Sequence, residues 1–109
     1  MNDRKALWSQ LQRLMMHILK FMIQPLKRSR SWVLSIKSAR KEINGILARR
    51  PSLKNTILEI WAVVFKKAKR EAEKETGENC DIEELDWDTT FNQKFDLDDD
   101  PDNDDKPKK

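Results

Sequence analysis

Apolar residues recur along this chain at steps of four and three. Leu7, Leu11, Leu14, Ile18 and Phe21 form the first such row, the spacing that lines one face of an α-helix. Pro25 lacks a backbone donor and biases Gln24 towards an extended shape, so the first helix is expected to stop there. Gln24 to Arg30 then becomes a connector. A second row, Trp32, Ile36, Ala39, Ile43 and Ile46, predicts a helix opening near Ser31 as N-cap and closing before Pro51. A third, Leu53, Ile57, Ile60, Val64 and Ala68, predicts a helix capped by Ser52 and running to Gly77, a residue suited to the left-handed position after a helix end. Short connections favour antiparallel neighbours, so the expected fold is all-α: a small antiparallel bundle of three main helices, up, down and up.

A fourth, smaller element follows. Asp81 with Glu84 resembles a capping box, and Trp87, Phe91 and Phe95 recur at helical spacing. A short helix or turn is expected to lay these aromatics across an end of the bundle. The helical domain is accordingly assigned to residues 1–95. Residues 96–109 hold almost nothing to bury and are expected to form a disordered acidic tail.

Charge changes the picture. Residues 1–70 hold 17 Lys and Arg against three acids, and residues 71–109 hold five Lys against 16 acids, so a net +14 is followed by a net −11. A basic body with an acidic end can attract polyanions, fold its tail over them, or pair with a second copy. The lone Cys80 excludes an internal disulfide, and His17 and Lys20 interrupt the most apolar early stretch, Leu14 to Ile23. Neither a signal peptide nor a membrane span is expected, and the chain reads as cytoplasmic.

The run His17-Ile18-Leu19-Lys20-Phe21, then Gln24-Pro25, then Arg28-Ser29-Arg30-Ser31-Trp32, resembles a bacterial, largely cyanobacterial family, domain-of-unknown-function family twenty-nine. Ser35-Ile36, Arg40, Ile43, Ile46-Leu47, Pro51-Ser52-Leu53, Ala68, Ala72 and Glu75-Thr76-Gly77 continue the match, which spans roughly residues 7–97. The resemblance implies a small helical bundle and carries no assigned activity. Two departures stand out. The family's usual aromatic and acidic segment ahead of the first helix is missing from this sequence, and its Cys-Pro-aromatic turn is replaced by Asp86-Trp87-Asp88. Without that front segment, Trp8, Met15, Leu19 and Met22 are expected to widen the first helix into an exposed apolar face for a partner or a second copy.

Signals for catalysis are weak. His17 is the only histidine and no nucleophile motif surrounds it, so it reads as a satisfied core or boundary residue. Gly45 and Gly77 alone cannot write a phosphate loop, and Cys80 with His17 would leave a metal site two ligands short. Asp98, Asp100 and Asp102 alternate as in a calcium loop, but Asn103 and Lys109 stand where its glycine and glutamate belong. No catalytic residue, cofactor or metal ligand is assigned.

Two surfaces remain. The anion or nucleic-acid candidates are Lys27, Arg28 and Arg30 in the first connector, Lys37, Arg40 and Lys41 on the second helix, Arg49 and Arg50 at the next corner, and Lys66, Lys67, Lys69 and Arg70 on the third. Lys67 with Glu71 and Lys69 with Glu73 are spaced for local pairing, which competes with such a role. Trp32 is expected in the core. Arg28 is placed to stack on it or a neighbouring ring and to satisfy carbonyls at the end of the first helix; alternatively Gln24, Arg28, Ser29 and Ser31 form an anion-recognising corner. The leading expectation is a non-catalytic protein-interaction module, self-associating or paired with a dedicated partner through Trp8, Met15, Leu19 and Met22. The alternative is a nonspecific nucleic-acid binder with an autoinhibitory acidic tail. Third comes a cationic first helix resting on a membrane surface, with an enzyme last.

Overall fold

A computed structural model of the protein describes residues 2–97. Its elements are α1 (Asp3–Ile23), a 3-10 turn (Pro25–Lys27), α2 (Arg30–Arg49), α3 (Leu53–Thr76) and α4 (Trp87–Phe91), with no strand among the described residues. The all-α bundle of three main helices and a short fourth is the fold expected. All but Asp96 and Leu97 of the expected tail lies outside the described residues.

Caps and breakers set the helix limits. Asn2 starts α1 by accepting a 3.2 Å hydrogen bond from the Lys5 N–H. Pro25 stops it, and Arg28 Nε donates to the Phe21 carbonyl at 2.7 Å, satisfying an acceptor the helix end leaves without an internal partner. The guanidinium also lies over the Phe21 ring, 4.1 Å from its centroid. Ser29, not Ser31, caps α2. Its backbone is extended, as an N-cap requires, and its side chain accepts from the Trp32 N–H, whereas Ser31 already lies in the first turn. Ser52 occupies the cap position of α3 without capping it, because its backbone is already helical and turns from Arg50, Pro51 and Ser52 carry the chain into the helix. Gly77 closes α3 at φ 71° and donates to the Glu73 carbonyl at 2.8 Å.

Ion pairs at the helix ends report direction. Asp3 at the start of α1 meets Arg49 and Arg50 at the end of α2, at 3.4 and 3.9 Å. Lys20 near the end of α1 meets Glu75 near the end of α3 at 3.0 Å. Helix α1 therefore runs antiparallel to α2 and parallel to α3. It packs along both, while α2 and α3 barely touch. The central helix is enclosed: from Gln10 to Phe21 every residue is buried or half-buried.

The wedge between α2 and α3 is filled by residues 78–97. Cys80 donates its N–H to Glu73 at 2.9 Å, and the Leu85 carbonyl accepts from Trp61 Nε1 at 2.8 Å. Asp86, rather than Asp81, then caps α4 by accepting from the Thr89 N–H at 2.7 Å, because residues 78–86 stay non-helical. Trp87 stacks on Trp61 at 5.6 Å between centroids, and Phe91 packs 4.4 Å from Trp87. Phe95 lies past α4 in non-helical chain, yet it is buried edge-on against Phe21 at 5.4 Å. Trp87 and Phe91 lie along the flank of the bundle against Trp61 of α3, while Phe95 lies against Phe21 at the C-terminal end of α1. Packing also continues past residue 95: the Asp96 side chain is 9% exposed and Leu97 packs against the core.

The buried rows follow the sequence periods with two shifts of phase. In α2, Val33 is buried and Trp32 sits half-buried at the edge, with the Lys20 ammonium 5.0 Å from its ring centroid. In α3, Ile60 is half-buried, and Phe65 and Ala72 join the core. Met15 and Leu19 are fully buried, since α1 faces neighbours on several sides. Met15→Ala should therefore destabilise the fold by about 2–5 kcal/mol, in the range expected for Leu14→Ala, whereas a surface position would shift it by less than about 0.5 kcal/mol. Urea unfolding of the two variants measures the difference.

Candidate interaction surface

The apolar face expected on α1 does not exist as a surface. Met15 and Leu19 are 0% exposed, Trp8 is half-buried with the Lys67 ammonium 5.2 Å from its ring centroid, and Met22 alone reaches 36% exposure. Packing between α2 and α3 consumes the extra apolar width. The same enclosure leaves α1 no apolar face to lay on a lipid surface, and among the described residues no helix is long and apolar enough to cross a membrane.

The basic residues are mostly exposed but do not converge. Lys27, Arg28 and Arg30 gather at the corner between α1 and α2, Lys37, Arg40 and Lys41 lie on α2, and Lys66, Lys67, Lys69 and Arg70 lie on α3, beyond the intervening α1. Several hold the fold together. Arg40 is half-buried, and it clamps the C-terminal segment by donating from Nε to the Thr90 carbonyl at 2.9 Å and from a terminal nitrogen to Thr89 at 3.1 Å. Burial pulls the Arg40 guanidinium below its usual range, against the opposing charge of Asp96. Lys37 Nζ lies 3.0 Å from Asp96 Oδ1, an ion pair without hydrogen-bond alignment, because that buried oxygen accepts no hydrogen bond. Arg49 and Arg50 hold Asp3. These two and Arg28, Lys37, Arg40 and Lys67 are thus engaged within the fold. The Arg28 contact with the Phe21 carbonyl is the structural role expected of it.

The two candidate reactive groups are both packed into the fold. His17 is half-buried and its Nδ1–H donates to the Arg13 carbonyl at 2.8 Å, the satisfied boundary role expected. Burial lowers its pKa, opposed by that hydrogen bond and by Glu75 and reinforced by Lys20 and Arg13. Burial pushes the Cys80 thiol up, away from the nucleophilic thiolate. Among the described residues no three His, Cys, Asp or Glu side chains are grouped to hold a metal ion.

An apolar surface does stand open on α3. Leu58 is 56% exposed, Ala62 follows one turn later, and beside them a groove of about 350 Å³ is lined by Trp61, Phe65 and Leu85. Lys66 and Lys69 form one rim of this groove, and Glu83 and Glu84 the other. Leu58, Ala62 and Phe65 step by four and three outside the main α3 stripe, so the sequence carried half of this signal. Leu85 arrives only through the folded C-terminal segment.

Fold and surface together describe a small bundle of three long helices closed by a folded C-terminal segment. The chain belongs to the family described as Domain of unknown function DUF29, whose model matches residues 1–99. No curated protein and no solved structure matches it.

Two outcomes follow from the clamp and the half-buried imidazole. Arg40→Ala removes both carbonyl contacts, so amide exchange across residues 78–97 should accelerate at least tenfold while the centre of α1 stays protected, read by hydrogen exchange. His17 is depressed in the folded state, so the unfolded chain binds the extra proton first. Its contribution is complete above the unfolded pKa near 6.5 and is lost as pH falls through the lower folded pKa. Denaturant unfolding from pH 7 to pH 5 should show a smaller fall for His17→Gln than for the natural chain.

Proposed function

We propose that this chain is a non-catalytic protein-interaction module that holds a second protein chain against the outer face of α3. The observation that carries the reading is the groove floored by Trp61, Phe65 and Leu85 beside the exposed Leu58 and Ala62. An apolar floor with charged rims of both signs is the anatomy of a protein interface: the floor supplies the driving force and the rims select the partner. Polyanions recruit a surface of one sign, and here Glu83 and Glu84 face the lysines across the groove. A bacterial cytoplasmic setting fits the single buried cysteine. The separate, packed positions of His17 on α1 and Cys80 in the C-terminal segment support binding rather than catalysis.

Light-scattering mass against concentration tests the reading, for the full chain and for a version ending at Leu97, at low and high salt. The expected result is a mass rising above the 13.0 kDa of one chain, persisting in high salt and after tail removal, because apolar contact is not screened. A monomer that gains salt-sensitive retention on DNA or RNA when the tail is removed would replace this reading with the nucleic-acid binder.

A further inference from the structure

We infer that the α3 face pairs with a second copy of the same chain, the two α3 helices lying antiparallel across a two-fold axis that passes beside Ala62. The inference rests on the interaction-module reading and names its partner.

A two-fold interface must complement itself: each surface residue has to meet a compatible residue of the same patch, reversed. The α3 face meets that demand in its central part, between Leu58 and Lys66. In an antiparallel pair centred on Ala62, that small side chain meets its own copy and lets the helices approach closely. Leu58 then falls opposite Lys66 of the second copy, over Phe65 and the groove between them. Leu58 is thus an exposed apolar knob one turn from an apolar groove, and the two-fold supplies each knob with the other copy's groove.

Charge follows the same symmetry. Glu59 and Lys66 are both exposed and lie on the same shoulder of α3, one on each side of Ala62. Reversing the helix sets Glu59 of each copy beside Lys66 of the other, giving two equivalent pairs. Asn55, an uncharged residue, falls opposite Lys69. A parallel pairing would instead stack Lys66 on Lys66 and Glu59 on Glu59. The sequence of the face therefore selects the antiparallel arrangement.

The test is sedimentation equilibrium of the full chain and four samples. Leu58→Asp should weaken self-association on the order of 10- to 100-fold without lowering the unfolding midpoint, since Leu58 contributes to the outer surface and not to the core. Glu59→Lys and Lys66→Glu should each weaken it by about 2- to 10-fold, because like charges then face each other twice. An equimolar mixture of those two single variants should recover the dimer, since each chain now carries the charges the other lacks. Recovery on mixing is specific to Glu59 facing Lys66 across chains. A dimer indifferent to Leu58→Asp and to both charge variants would overturn this interface and leave self-association through another face. A chain that stays monomeric at every concentration would overturn self-pairing, while the interaction-module reading would fall only with the nucleic-acid retention described above.

Discussion

The structure depends on the enclosure of one helix. Helix α1 carries apolar residues over more of its circumference than a single neighbour can cover, with Leu7, Leu11, Leu14, Met15, Ile18, Leu19 and Phe21 all buried. Two helices flank it, yet they scarcely meet each other, which leaves a wedge that water would otherwise enter. A buried apolar helix exposed along one side would lose the hydrophobic gain that holds a bundle of this size together. Residues 78–97 close the wedge with Leu85, the Trp61–Trp87–Phe91 cluster and Phe95. The short fourth element is therefore part of the core.

That arrangement explains the polar interior. A segment with little regular structure carries backbone carbonyls without internal partners, and each buried one needs a donor. Trp61 serves Leu85, and Arg40 serves Thr89 and Thr90. Lys20 is buried for a related reason: at the C-terminal end of α1 its stem packs in the core while its ammonium reaches Glu75 and the face of Trp32. Much of what looks in sequence like a basic binding surface is scaffolding of this kind. A guanidinium already donating to two carbonyls has fewer donors left for a phosphate.

Enclosure of α1 also decides which apolar residues remain open. The helix with the widest apolar arc is the one most enclosed, and exposed apolar side chains lie elsewhere, at Leu26, at Leu34 on α2, and at Leu58 and Val63 on α3, where Leu58 adjoins the groove at which the C-terminal segment docks. Leu58 and Ala62 come from a helix whose opposite side is fully used, and the groove floor comes from two elements meeting. A face made this way has mixed charge, because it joins the basic α3 to the acidic stretch around Glu83 and Glu84.

The three long helices, their order and most of the core were legible in the sequence, because a four-and-three period, a proline and a left-handed glycine act locally and need no distant partner. Caps were less legible: Ser29 and Ser31 are both able cap residues, and the choice fell to the backbone geometry at the corner that Arg28 fastens to Phe21. The family was legible too, from short motifs that survive one by one. What the sequence left open was which apolar residues of α1 are covered, because the cover comes from residues far away along the chain. Met15 and Leu19 look alike as buried or exposed until α2 and α3 have packed along α1. Only the tertiary structure made that decision, since burial belongs to pairs of surfaces and a periodic pattern describes only one of them.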